Sequence, residues 1–349
     1  MIKEELFKKF ERPNINDRIL LLTHNDMDAA GAEIVARKVF KNLTVKNCSN
    51  NTMSSDIVTA VFENLAEKRY DTIIICDISC NEDDAILIDD NLRNTNLILL
   101  DHHDTALHLN KYSWAIVQSK IIEDSFRASS YLDISDAHSS GTSLLYDFCD
   151  YFNMLGEYDN NCMLQLIVNT IATYDTWDWV NFKSEHYIKL SKVCDIYGIK
   201  RFIKVYSDKI DDENSVLIDN TEELLLEIEQ DKIDDFRKNI KKSFIEAELE
   251  LNDKTYSIVM CFTGKYLDEA FDVMKTEHPG RDLYIINYGT GISLRTSDID
   301  FHVGNFAKKH FEGGGGHAGA AGFRIDLTSK IKCMEECMHG KIINIVDNN

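Results

Sequence analysis

Four short stretches of this 349-residue chain carry acidic and imidazole side chains at spacings that could do chemistry. His24, Asp26 and Asp28 occupy alternate positions in HNDMD; Asp77 follows the apolar run TIIIC; Asp101, His102 and His103 follow NLILL; and Asp175 lies in YDTW. A single aspartate after an apolar run ordinarily forms a turn or caps a helix. Several such endings gathered in one place would crowd negative charge at a large electrostatic cost unless cations neutralised it. Mixed carboxylate and imidazole donors suit Mn2+, with Co2+ or Mg2+ as substitutes, and also accept Zn2+ or Fe2+; an all-oxygen Mg2+ site has no need of histidine. Two such cations about 3.5–4 Å apart activate water and stabilise the charge that grows on phosphate. The chemistry they suit is phosphate ester hydrolysis.

These residues need elements that bring distant stretches together. Apolar runs at 18–23, 72–77 and 96–100 alternate with helical periodicity, as at 29–41. That alternation predicts a parallel α/β sheet. Ligands of open α/β sheets bind beyond the C-terminal strand ends, which is where the acidic clusters fall. Residues 139–155 and 161–174 read as helices, the second delivering Asp175, and residues 221–251 read as a long amphipathic helix. Strands are expected at 255–262, 282–288, 291–295 and 322–327, with a helix at 303–311 and a glycine run at 313–316. The fold class is therefore α/β: a parallel-sheet catalytic, metal-binding domain over 1–185, a helical connector over 186–252, and a smaller α/β substrate-binding domain over 253–349.

Acidic residues outnumber basic ones 59 to 38, giving a net charge of -21. A broad basic surface for long nucleic acid is not expected, so an anionic substrate must be held by local devices, which favours short or small substrates. The run Gly313-Gly314-Gly315-Gly316-His317 could be one, its backbone amides approaching an anion and His317 adding a donor. Arg295 could fork onto a phosphate as another. Ser139 to Ser143 read as a helix cap whose free amides could also touch substrate. Nine cysteines without paired zinc spacing read as reduced thiols. No signal peptide or membrane-spanning run is expected, which predicts a cytoplasmic enzyme.

Asp101-His102-His103 is the signature of the DHH phosphoesterases, and the sequence resembles that family. His24-x-Asp26-x-Asp28 is similar to its first motif, Asp77 to its second and Asp175 to its fourth. Ser293-Leu294-Arg295-Thr296 and GGGGHAGAAG resemble its DHH-associated C-terminal domain, so the likeness spans essentially the whole chain. HNDMD, DHHDTALHLN and YDTW together look most like the bacterial nanoRNase branch, of oligoribonuclease B type. The resemblance implies that His24, Asp26 and Asp77 hold one metal, and that Asp28, Asp77, His102 and Asp175 hold the other. Some family members place the first histidine where this chain has Leu22. His103, Asp77 and Asp101 are implied to be catalytic: His103 faces the phosphate, Asp77 bridges the metals and Asp101 orients a histidine. Arg295, Gly314, Gly315, Gly316 and His317 are implied to hold the substrate. The expected function is Mn2+-dependent hydrolysis of short oligoribonucleotides to mononucleotides. The alternatives are a cyclic or linear signalling dinucleotide, 3′-phosphoadenosine 5′-phosphate, or a non-catalytic nucleotide sensor. The sequence does not fix the oligomeric state and leaves a homodimer open.

Overall fold

The computed structural model describes residues 1–332, except 50–51, 94, 132–133, 135–136, 183, 252–253, 299, 317, 327 and 330–331. The chain divides into two units, Met1–Leu226 and Glu227–Asn349. In chain order the first contains α1 (Lys3–Phe7), β1 (Arg18–Thr23), α2 (Met27–Val39), β2 (Asn42–Asn47), α3 (Met53–Glu67), β3 (Thr72–Cys76), α4 (Glu82–Asn91) and β4 (Asn96–Asp101). There follow β5 (Ala115–Val117), α5 (Gly141–Tyr151), α6 (Cys162–Asp175), α7 (His186–Tyr197) and α8 (Ile199–Asp211), and the boundary falls within α9 (Asn220–Ile240).

All pairings in the first sheet are parallel, in the order β2-β1-β3-β4-β5. Successive side chains on a strand point to opposite faces, and both faces are covered, so β1, β3 and β4 are apolar almost throughout. Ile19, Leu21, Ile74, Ile98 and Leu100 enter a core shared with α2, α5 and α6. Leu20, Leu22, Ile73, Ile75, Leu97 and Leu99 enter a second core with α3 and α4. The sequence pattern identifies these three central strands and misses both edges. β2, NLTVKN, is only half-buried and has no apolar run, and β5 is three residues long.

The second unit continues with β6 (Ile245–Leu251), β7 (Lys254–Phe262), α10 (Leu267–Glu277), β8 (Leu283–Asn287), β9 (Gly291–Arg295), α11 (Val303–His310), β10 (Gly315–Gly316) and β11 (Ala320–Arg324). Its mixed sheet runs β10-β11-β9-β8-β7-β6, with only β7 and β8 parallel among the pairings. Residues of α10 pack with Val259, Tyr284 and Ile286, while those of α11 pack with Ile258, Leu283 and Leu294.

The segment expected as a connector, 186–252, does not stand apart. Leu190, Val193, Cys194, Phe202, Ile203 and Tyr206, from α7 and α8, are buried in the first unit's core. Its last residues, expected as helix, form β6 instead. There IEAELEL alternates exposed glutamates with half-buried apolar residues at a period of two, opposite β7. Among the described residues no helix is long and apolar enough to cross a membrane.

Candidate metal centre

The order β2-β1-β3 means that the chain leaves β1 toward one side and returns as β3 on the other. Such a reversal opens a crevice at the C-terminal ends of the two strands. His24 follows β1, Asp26 caps α2 by accepting the Ala29 N–H at 2.9 Å, and Asp28 lies in the first turn of that helix. Asp77 follows β3 in the left-handed region at φ 64°, an uncommon conformation for a residue with a side chain, and donates its N–H to Leu100 O at 3.0 Å. Asp101 ends β4, with His102 and His103 directly after it, and Asp175 ends α6.

Potential ligand atoms meet in three overlapping groups, each spanning no more than 4.8 Å: His24, Asp26 and Asp77; Asp28, His102 and Asp175; and Asp77, Asp101, His102 and His103. Asp77 and His102 each belong to two groups. His102 Nε2 lies 3.2 Å from Asp77 Oδ1 and 3.5 Å from Asp175 Oδ2. Asp175 Oδ2 and Asp101 Oδ2 are buried with no hydrogen-bond partner. Unpartnered buried carboxylate oxygens beside imidazole nitrogens are what a divalent cation completes, so the donor set fits a metal.

Electrostatics point the same way. Burial, reinforced by the charges of Asp28, Asp26, Asp175 and Asp101, pushes the Asp77 carboxyl well above the usual carboxylate range. Burial together with Asp28 and Asp26 pushes Asp175 up to about 8, and burial lowers His102. A cluster this crowded cannot hold all its negative charge without a counter-cation. Asp26 and Asp101 behave differently. Burial alone would raise both, but a hydrogen bond to His24 at 2.6 Å and one to His103 at 2.7 Å outweigh it and hold them below the usual range. The same bond from Asp101 raises His103, whose side chain is 53% exposed.

Several supporting residues carry no signal in the sequence. Ser140 does cap α5, as expected, but the next two amides reach across to another element: Gly141 N–H and Thr142 N–H donate to the two oxygens of Asp28 at 2.7 and 3.1 Å. The Thr142 hydroxyl donates to the Asp28 carbonyl at 2.6 Å. Gly141 is required by proximity, since a Cβ there would lie 2.5 Å from Asp77 Cβ. Asn47, on the unexpected strand β2, donates to the His24 carbonyl at 2.7 Å. The fully buried Arg127, whose charge tempers the rise of Asp175, is held by Asn169, Tyr131 and the His138 carbonyl. No residue spacing announces any of these interactions.

In the second unit, Arg295 ends β9 with its side chain 18% exposed and donates to Asp268 Oδ1 at 3.0 Å. Within the glycine run, neighbouring backbone closely approaches Gly314 and Gly316, whereas nothing crowds Gly313 or Gly315. Gly314 N–H is spent on Phe311 O, and Gly315 and Gly316 pair with Gly322 and Ala321 of β11. A Cβ at Gly316, where φ is 144°, would lie 2.5 Å from Ala320 O. His317 lies outside the described residues.

No family model matches the chain. It is 26% identical over 310 residues to oligoribonuclease NrnB of Bacillus subtilis strain 168, covering 87% of this chain and 72% of that protein. It is 22% identical over 346 residues to a 3′,5′-cyclic-nucleotide phosphodiesterase of Helicobacter pylori, covering 87% and 92%. The chain is similar to these two enzymes over most of its length. It is a phosphodiesterase-type hydrolase, and its acidic clusters could bind metal. Among solved structures, exonuclease RecJ bound to manganese superposes with a TM-score of 0.45 at 12% identity, over 94% of this chain and 89% of that one.

Proposed function

We propose that this protein is a manganese-dependent phosphodiesterase that hydrolyses short oligoribonucleotides to mononucleotides. One observation carries the reading: His24, Asp26, Asp28, Asp77, His102 and Asp175 converge in overlapping groups around buried carboxylate oxygens that lack partners. In this reading His24, Asp26 and Asp77 hold one cation, Asp28, His102 and Asp175 a second, and Asp77 is shared. When bound, the cations supply an activated water and balance the charge that grows on the scissile phosphate. Asp28 is aimed by two α5 amides, Gly141 N–H and Thr142 N–H, each donating to one of its carboxylate oxygens. His103 is the proton donor to the phosphate or the leaving oxygen. Its Nδ1 is fixed on Asp101, which orients the ring and favours the protonated form, leaving Nε2 for the substrate. Arg295 binds the substrate in this proposal, through a guanidinium that already donates to a carboxylate, that of Asp268.

The Bacillus relative, named an oligoribonuclease, supports short RNA as the substrate, and the Helicobacter relative, named a cyclic-nucleotide phosphodiesterase, supports a second reading in which the substrate is cyclic. The deciding experiment incubates the protein and Mn2+ with a labelled RNA dinucleotide, an RNA pentamer, cyclic mono- and dinucleotides and 3′-phosphoadenosine 5′-phosphate. Mononucleotide release from both RNAs is expected. Absence of release from either RNA, with manganese bound at two ions per chain by elemental analysis, refutes the proposal.

A further inference from the structure

A cleft of about 440 Å3 at the carboxylate cluster is lined by Asn25, Asp26, Asp28, Tyr174 and Asp175 together with the start of α8. A second groove, of about 530 Å3, adjoins it and shares Asn25 and Ile199. Both volumes lie within the roughly 300–1,000 Å3 typical of small-ligand sites. The composition of the second groove is unusual for a chain of net charge -21. Arg37, Lys200 and Lys204 line it against two carboxylates, Glu33 and Asp208. Glu33 is committed to Arg37, whose Nε donates to it at 2.7 Å. Lys200 and Lys204 are exposed and make no ion pair among the described residues. They stand four residues apart on α8 and therefore share one face of it.

Apolar and polar groups complete the groove. Val45, Ile199 and Ile203 line it, and the hydroxyl of Ser207, another lining residue, is buried without a hydrogen-bond partner. Buried polar atoms are rarely left unpaired, and a bound ligand is one way to complete them. Asn47, also a lining residue, is tied through its amide to the His24 carbonyl, so the groove is anchored to the cluster itself.

We propose that the groove between α2, β2 and α8 is a binding station for a further nucleotide of a single-stranded RNA whose neighbouring phosphate lies at the carboxylate cluster. It rests on the oligonucleotide reading above and extends it from cleavage to chain-length preference. Lys200 and Lys204 take the additional phosphate as point charges, and Val45, Ile199 and Ile203 pack against the nucleoside. The shortest substrates do not reach the groove; longer ones gain affinity from it. The local cations also offset the repulsion that an acidic surface imposes on an approaching polyanion.

The test compares the full-length protein with Lys200→Gln/Lys204→Gln and Lys200→Arg/Lys204→Arg variants. Both lysines are exposed, so the fold is retained. Two quantities are read: KM for an RNA dinucleotide and an RNA pentamer with Mn2+, and binding of a hydrolysis-resistant phosphorothioate pentamer by fluorescence anisotropy. The glutamine pair raises KM and Kd for the pentamer about tenfold and leaves the dinucleotide within about twofold; the arginine pair restores the pentamer. The slope of log Kd against log salt for the pentamer flattens by about 0.7 for each phosphate that the variant no longer neutralises. Equal effects on dinucleotide and pentamer, or an unchanged pentamer, overturn the proposal. The two levels separate cleanly. Lysine-dependent pentamer binding without hydrolysis of either RNA sinks the catalytic reading and keeps the groove, whereas lysine-independent binding sinks the groove whatever the turnover.

Discussion

Replacing Asp175 by Asn should stabilise the metal-free protein while abolishing its activity. Asp175 ends α6 within reach of His102, and burial with Asp28 and Asp26 raises it from an ordinary 3.8 to about 8. Between those values the folded state keeps a proton that the unfolded chain releases, so metal-free stability is lost as pH rises from about 4 to about 8. At roughly 1.4 kcal/mol per pH unit the full gap opposes folding by about 6 kcal/mol. The side chain is 28% exposed, so solvent screening leaves about half of that, roughly 3 kcal/mol, at pH 7.5. Asparagine keeps the shape and removes the charge. For a unit of 226 residues, with an unfolding entropy of about 2 cal/mol/K per residue, 3 kcal/mol corresponds to roughly 6 °C in Tm. The assay is thermal unfolding of both proteins from pH 4 to 8, in EDTA and with excess Mn2+. In EDTA the variant melts higher, and its advantage shrinks toward pH 4. With Mn2+ at about 100 times Kd the wild type gains about 2.7 kcal/mol by mass action, and the variant gains less. A variant melting at or below the wild type in EDTA at pH 7.5, or an equal Mn2+ shift in both, refutes the reasoning.

Gly141→Ala places a Cβ 2.5 Å from Asp77 Cβ and 2.9 Å from Asp28 Oδ2, so α5 must retreat from the cluster. Overpacking of this kind costs about 1–3 kcal/mol, and kcat/KM should fall at least about tenfold with far-ultraviolet circular dichroism unchanged; full activity would mean that the α5 amides do not matter. Asp101→Asn removes the hydrogen-bonding carboxylate that raises His103. The alkaline limb of the pH–rate profile, where His103 loses its proton, should move to lower pH, and an unmoved limb would remove His103 as the acid.

Much of the site was legible because its determinants are local. A strand covered on both faces must be apolar throughout, so LLL, III and LILL identified β1, β3 and β4, and the polar residue that ends such a run must lie at the sheet's edge. Residue type and order along the chain were therefore enough to nominate the acidic and histidine clusters, and the family resemblance singled out His24, Asp26, Asp28, Asp77, His102 and Asp175 within them as metal ligands. The folded chain alone decided what pairs with them, because those partners carry no periodic signal. The amides of Gly141 and Thr142 meet Asp28 across more than a hundred residues of sequence, and a backbone N–H is the same in every residue but proline. The strand β2, half-buried at the sheet's edge, needs no apolar run, and so both it and the Asn47 hydrogen bond it carries were invisible. Gly314 and Gly316 show the converse: composition suggested open amides, yet the close approach of the Ala307 and Ala320 carbonyls leaves no room for a Cβ at either, which depends on what packs nearby.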